Sequence, residues 1–375
     1  MGLIVSGLPD FPWDALVPFA QRARAHPDGI VDLSVGTPVD PTPQVVTAAL
    51  AAAADSPGYP TTHGTTALRE TVVDWFARRR GVSGLDPAAV LPTVGSKELV
   101  AWLPSLLGLG AGDVVVHPEI AYPTYDIGAR LAGATPMAAD DVEAWRGRTD
   151  VRLVWLNSPS NPTGRVLSVE ELRAVVDAAR RCGAIVVSDE CYALLAWDPP
   201  WARDGVPSLL DPRVTGGRLD GLLAVHSLSK QSNLAGYRAA FAVGDPALVA
   251  SLLEIRKHAG MMVPGPVQAA MTVALADDAH VVEQHVRYAR RRAALAGALE
   301  GAGYVVDGSP AGLYLWVTSP GHGQDCWATV ADLAELGILV APGAFYGPAG
   351  ARHVRVALTA SDTDIARAVG RLSGA

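Results

Sequence analysis

Four short, mostly apolar runs recur through the middle of this 375-residue chain: Asp113–His117, Arg152–Leu156, Ala184–Ser188 and Leu222–His226. Helix-like stretches separate them. Runs of this length, apolar at nearly every position rather than at alternate ones, suit strands covered on both faces. Strands alternating with helices point to an α/β fold with a mostly parallel sheet, and polar residues just past the strand ends then mark a ligand crevice. The 49% hydrophobic content is ample for a large core, and the length allows two or three domains.

Local signals support that pattern. Ser168 before Val169, with Glu171 three residues on, forms a capping box that opens a helix. The last third reads differently, with a long Arg-rich helix through Val281–Leu299 and strand-like runs Leu313–Val317 and Val354–Leu358. A final helix begins near Ser361-Asp362. Internal repeats and low-complexity linkers are absent from the sequence.

The polar residues at the strand ends carry the chemistry. Of 30 Lys plus Arg, only Lys97, Lys230 and Lys257 are lysine. Lys230 follows the run Ala224–His226 and the hydroxyl-bearing Ser227-Leu228-Ser229. A guanidinium stays protonated, whereas an amine that sheds its proton in an apolar pocket can attack a carbonyl. Asp189 closes another apolar run, and Tyr192 lies three residues on. The turn cluster Asn157-Ser158-Pro159-Ser160-Asn161-Pro162-Thr163-Gly164 follows Leu153–Leu156, and Pro162 disfavours helical geometry at Asn161. Gly95-Ser96-Lys97 precedes the apolar-periodic Leu99–Leu107, the arrangement of an anion site at a helix start or of a plain N-cap. Arg355 sits inside the apolar strand His353–Leu358, where it either faces out or needs a partner.

Taken in this order and at these separations, these stretches resemble the fold-type I pyridoxal-phosphate aminotransferases of class I/II, and the resemblance spans essentially the whole chain. It implies an α/β, aspartate-aminotransferase-like fold, with a large domain built on a mostly parallel central sheet flanked by helices and a smaller α+β domain. The implied division is an N-terminal arm and part of the small domain at 1–44, the large cofactor-binding domain at 45–256 and the small C-terminal domain at 257–375. Pyridoxal 5'-phosphate is the implied cofactor. Lys230 would condense with its aldehyde and later shuttle a proton at the substrate Cα. Asp189 would hold the ring nitrogen protonated, which makes the ring an electron sink. Asn161 and Tyr192 would donate to the phenolate oxygen, and Tyr122 would stack on the ring. Gly95, Ser96, Lys97, Ser227 and Arg238 would cradle the phosphate, and Tyr59 would reach that phosphate from a neighbouring subunit. Arg355 would take the substrate α-carboxylate by a two-pronged contact, with Asn161 and the backbone of Gly36 nearby.

At finer grain the chain is similar to actinobacterial N-succinyldiaminopimelate aminotransferases. That likeness rests on Leu8–Asp14, Val31–Pro43 and Lys257–Gln268. It implies transfer of the amino group of glutamate, leaving 2-oxoglutarate, to N-succinyl-2-amino-6-oxopimelate, a step of lysine biosynthesis by the diaminopimelate route. The alternatives are an aspartate or aromatic amino-acid aminotransferase and, further off, a carbon–sulfur β-lyase. A homodimer with composite active sites is the expected assembly.

A formal charge of −8 argues against nonspecific nucleic-acid binding. No apolar stretch reaches membrane length, and the start of the chain lacks a signal-peptide pattern. Cys182, Cys191 and Cys326 are few, odd in number and unpatterned, which suits a reducing cytoplasm. The nine histidines fall at no metal-ligand spacing, so no metal is expected.

Overall fold

The computed structural model describes residues 8–9, 12–319 and 325–374. Asp10 and Phe11 of the Leu8–Asp14 motif lie outside the described residues. After a two-residue strand β1 (Val31–Asp32), the chain builds its main sheet from β2 (Val90–Val94), β3 (Val114–His117), β4 (Thr135–Ala138), β5 (Val151–Asn157), β6 (Ile185–Asp189), β7 (Leu222–Ser227) and β8 (Ala239–Gly244). Their spatial order is β2-β8-β7-β6-β5-β3-β4. The five strands from β4 to β7 in that order are parallel. β8 runs antiparallel to both its neighbours.

Strand periodicity divides the core in two. Along β5, Val154 and Leu156 join the cluster under the helix Val169–Cys182, while Leu153 and Trp155 join the cluster on the opposite face. The helix starts as its sequence dictates. Ser168 accepts from the Glu171 backbone, Glu171 reaches back to Ser168, and Gly183 ends the helix in the left-handed region with φ 68°. Its Leu172, Val175, Val176 and Ala179 face the sheet at helical spacing. Each fully buried Leu or Val of this kind contributes about 1.5–3 kcal/mol relative to exposure. The helices Ser96–Leu106 and Thr124–Ala132 cover the other face.

A second sheet follows, formed by β9 (Val305–Val306), β10 (Tyr314–Thr318), β12 (Ala341–Pro342) and β13 (His353–Ala357) in the order β12-β13-β10-β9. A short β11 (Ile338–Leu339) pairs in parallel with β1. Ala20 and Ala23 of the early helix Val17–Arg24 pack into the same core as Val330, Leu333 and Ile365. The start and end of the chain thus share one core, and that core carries β10 and β13 up to the carboxyl ends of β5 and β6. Among the described residues, no helix is long and apolar enough to cross a membrane, and no His/Cys/Asp/Glu group could hold a metal ion.

Candidate active site

The parallel strands end together. Asn157 of β5 pairs with Asp189 of β6, and Asp189 pairs in turn with Val225 of β7. β7 runs out at Ser227, and the four-residue helix Leu228–Gln231 that follows carries Lys230. A cavity of about 1380 Å³ opens over these ends. Of the residues singled out from sequence, Gly36, Ser96, Lys97, Tyr122, Asn161, Asp189, Tyr192, Ser227, Lys230, Arg238 and Arg355 line it. Gly95 is buried directly beneath, against Arg238. Tyr59 is not among them: it is 97% exposed in the single chain.

Asp189 is buried, and its carboxylate accepts from the Tyr125 hydroxyl at 3.1 Å and from the Cys191 backbone N–H at 3.2 Å. Among the described residues no Lys or Arg pairs with it, although a buried carboxylate ordinarily demands a cation. Burial therefore raises its pKa, and the neighbouring Glu190 charge adds to the rise. Glu190 itself points the other way. It meets Arg80 at 2.8 Å, the Ser208 hydroxyl at 3.1 Å and the Leu209 N–H at 2.8 Å.

Lys230 donates from Nζ to the carbonyl of Gly36. Burial lowers its pKa, and the Arg355 and Arg238 charges push it further down against the opposing pull of Tyr314 and Cys191. An amine so placed loses its proton more readily than a surface lysine and is the better nucleophile. Arg355 is turned inward, not outward. Its guanidinium donates to Asn161 Oδ1 at 3.0 Å and to the Ser34 carbonyl, at 2.6 Å, and it lies 4.0 Å from the Tyr314 ring centroid and 5.0 Å from that of Tyr346. No carboxylate of the described residues meets it, so the buried cation at β13 mirrors the buried anion at β6.

The helix Ser96–Leu106 begins at Gly95, whose φ of 76° is left-handed and whose side makes no cap. A Cβ there would lie 2.0 Å from the Arg238 guanidinium, so any other residue would strain the left-handed backbone and push aside the end of that arginine. Ser227 and Ser229 share a hydroxyl hydrogen bond at 2.8 Å beside it. Backbone N–H groups, two hydroxyls and an arginine along one cavity wall are the donors an anion would need. Lys97 Nζ stands 6.0 Å from the centroid of Tyr122, which meets Tyr125 edge-on.

Sequence reasoning missed Ser229, Tyr125 and Tyr314. The Ser-Leu-Ser spacing before Lys230 was a usable signal for Ser229. Tyr125 and Tyr314 join the site through packing, on a helix and on a distant strand, and carry no local signal.

The aminotransferase class I and II profile matches residues 28–372, and the chain belongs to that family. It is 59% identical over 366 residues to the 4-dedimethylamino-4-oxo-anhydrotetracycline transaminase of Streptomyces rimosus, covering 98% of this chain and 99% of that one. It is 60% identical over 372 residues to a "probable aminotransferase" of Mycobacterium tuberculosis, covering 99% and 87%. Among solved structures, a "probable N-succinyldiaminopimelate aminotransferase" of Thermus thermophilus superposes with a TM-score of 0.85 at 29% identity, over 97% of this chain and all of that one. A single mutant of the Thermus thermophilus aspartate aminotransferase superposes at 0.86 with 25% identity, over 100% and 99%.

The fold is aspartate-aminotransferase-like, and enzymes of this family depend on pyridoxal phosphate. The crevice fits that group. A pyridinium N–H would supply the cation that Asp189 lacks, an aldehyde would meet a readily deprotonated amine at Lys230, and a phosphate suits the donors of Ser96, Ser227, Ser229 and Arg238.

Proposed function

We propose that this chain is a pyridoxal-phosphate aminotransferase that moves the amino group of glutamate to N-succinyl-2-amino-6-oxopimelate, giving N-succinyl-LL-2,6-diaminopimelate for lysine synthesis in the cytoplasm. When bound, the cofactor supplies an electron-withdrawing ring that takes up the electron pair released at the substrate Cα. Asp189 keeps the ring nitrogen protonated. Asn161 and Tyr192 donate to the phenolate oxygen, and Tyr122 covers the ring face. Gly95, Ser96, Lys97, Ser227, Ser229 and Arg238 hold the phosphate. Lys230 takes the proton from Cα of the amino donor in one half-reaction and gives a proton to Cα of the new amino acid in the other. Arg355 clamps the α-carboxylate, with Gly36 and Asn161 beside it. Tyr59, projecting from the chain, completes the phosphate site of a second copy, which makes the working unit a homodimer.

One observation carries the reading: a buried anion at Asp189 and a buried cation at Arg355, neither paired with an opposite charge of the described chain, face one cavity that also holds a lysine of lowered pKa. The purified protein mixed with pyridoxal phosphate is expected to gain a visible absorption band, and Lys230→Ala to lose it together with activity, by about 10³-fold or more. A colourless wild-type protein would end this account.

A second reading is favoured by the 59% identity to the Streptomyces transaminase and by the apolar wall of Pro12, Trp13, Phe345 and Tyr346. In it the acceptor is a ketone on a polycyclic aromatic. Steady-state rates with glutamate and three acceptors separate the options. The succinylated semialdehyde should exceed oxaloacetate by about 10²-fold in kcat/KM. Equal rates would remove the succinyl assignment, and preference for the polycyclic ketone would replace it with the second reading.

A further inference from the structure

We propose that Tyr314 is the positioning residue that keeps Lys230 and Arg355 in one working arrangement, its hydroxyl serving the lysine and its ring face serving the arginine. The proposal rests on reading the crevice as an aminotransferase site. Tyr314 opens β10 and is buried. One face of its ring lies 4.0 Å under the Arg355 guanidinium carbon, with the Tyr346 ring 5.0 Å from the same atom. Two aromatic rings thus fix the plane of a cation whose Nε makes no hydrogen bond among the described residues. A guanidinium held flat against a ring face stays charged and keeps a planar edge for a carboxylate.

The hydroxyl does different work. It lies 3.3 Å from the Tyr192 hydroxyl. It also occupies the space that a side chain at position 36 would fill, since a Cβ on Gly36 would fall 2.1 Å from Tyr314 Oη. The carbonyl of that same Gly36 accepts from Lys230 Nζ. Hydroxyl, glycine backbone and lysine amine therefore form one chain of contacts, and Gly36 is small because Tyr314 reaches it. The groups around the phenol are Arg355 from β13, Tyr346 from the turn before it, Lys230 after β7, Cys191 and Tyr192 after β6, and Tyr288 from the helix Ala279–Gly301. Burial pushes the Tyr314 pKa up, but the Arg355 and Lys230 charges outweigh it and leave the phenol more acidic than usual. Tyr192, facing the same oxygen, is pushed the other way by burial and by Tyr314. Either hydroxyl can donate in the 3.3 Å contact between them, and the Arg355 and Lys230 charges favour electron density on the Tyr314 oxygen, which steadies those cations in return.

The test uses the full chain loaded with pyridoxal phosphate and two variants. Tyr314→Phe keeps the ring and removes the hydroxyl; Tyr314→Leu removes both. Two quantities are read without turnover: the pH midpoint of the visible absorption band, and the dissociation constant for maleate followed through that band. Tyr314→Phe is expected to move the midpoint down by about half a pH unit or more. Its maleate affinity should stay within about twofold of wild type, while Tyr314→Leu weakens it by about three- to thirtyfold. A Phe variant that titrates like wild type overturns the hydroxyl's part, and a Leu variant that binds maleate like wild type overturns the ring's part. A Phe variant that loses maleate as fully as Leu removes the division of labour and overturns the proposal. Should Leu fail to fold, the Phe midpoint alone decides. A wild-type chain that gains no visible band refutes the aminotransferase-site reading, and this proposal falls with it.

Discussion

Asp189 and Glu190 are consecutive acids in the segment that closes β6, and they live in opposite electrostatic worlds. Glu190 is enclosed by an arginine, a hydroxyl and a backbone N–H, and its neighbour His226 donates from Nδ1 to the Glu190 carbonyl and meets the Gln231 side chain through Nε2. Asp189, pointing to the other side, has a phenol and an N–H but no cation among the described residues. Alternation of successive side chains puts the two on opposite faces, so one strand end serves as scaffold on one side and as reagent on the other. Where a protein intends only to stand up, it pairs its buried charges. Where it intends to bind a charged partner, it leaves the charge waiting.

The largest expected effect breaks the scaffold side. Arg80→Ala strands a buried carboxylate and should lower unfolding stability by about 3–5 kcal/mol, read from urea denaturation. A loss below about 1 kcal/mol would mean that the pair is not what holds Glu190 in place. Next comes the reagent side. Asp189→Asn should cut transamination by about 10²–10³-fold. The same change should leave the cofactor-free chain as stable or more stable at pH 7. Because the folded pKa of Asp189 is raised, its ionised form penalises the fold above that pKa, and the gain from Asn should fade as pH falls toward the ordinary carboxylate value of 3.8. If Asp189→Asn destabilised the cofactor-free chain as Arg80→Ala does, the two acids would be alike after all.

The smallest effect sharpens the same contrast with a cation. Lys230→Met in the cofactor-free chain should raise the thermal midpoint near neutral pH. The folded pKa of Lys230 is lowered, so the cost of its charge is greatest at low pH and disappears as pH rises toward the ordinary lysine value of 10.5. Melting curves at pH 7 and pH 10 should therefore converge for wild type and variant. Curves that stay parallel would show that burial does not tax this amine.

Much of this was legible before the fold was seen, for reasons that differ by element. β3, β5, β6 and β7 stand within one residue of the apolar runs that announced them, because strands covered on both faces are apolar throughout. β2, β4 and β8 were silent. β2 and β4 are edge strands carrying Pro92 and Pro136, and β8 reads Ala239-Ala240-Phe241-Ala242-Val243-Gly244, with little that favours a strand. At the site, Lys230 and Asp189 announced themselves by standing just past or at the end of apolar runs. Tyr314 could not, since its importance lies in reaching Gly36, 278 positions earlier, through the packing of β10. Tyr59 stays apart from the crevice of its own chain, and a single sequence offers only resemblance to explain why.

Gly95 shows how narrow the margin is at the helix start. One methyl group there would collide with a guanidinium and strain a left-handed backbone in the same stroke. Descendants of this chain can drift in their acceptor pocket and still transfer nitrogen, but any lineage that acquired alanine at this position would have to move Arg238 or surrender its grip on the anion. A single carbon is thus enough to set where that guanidinium can stand.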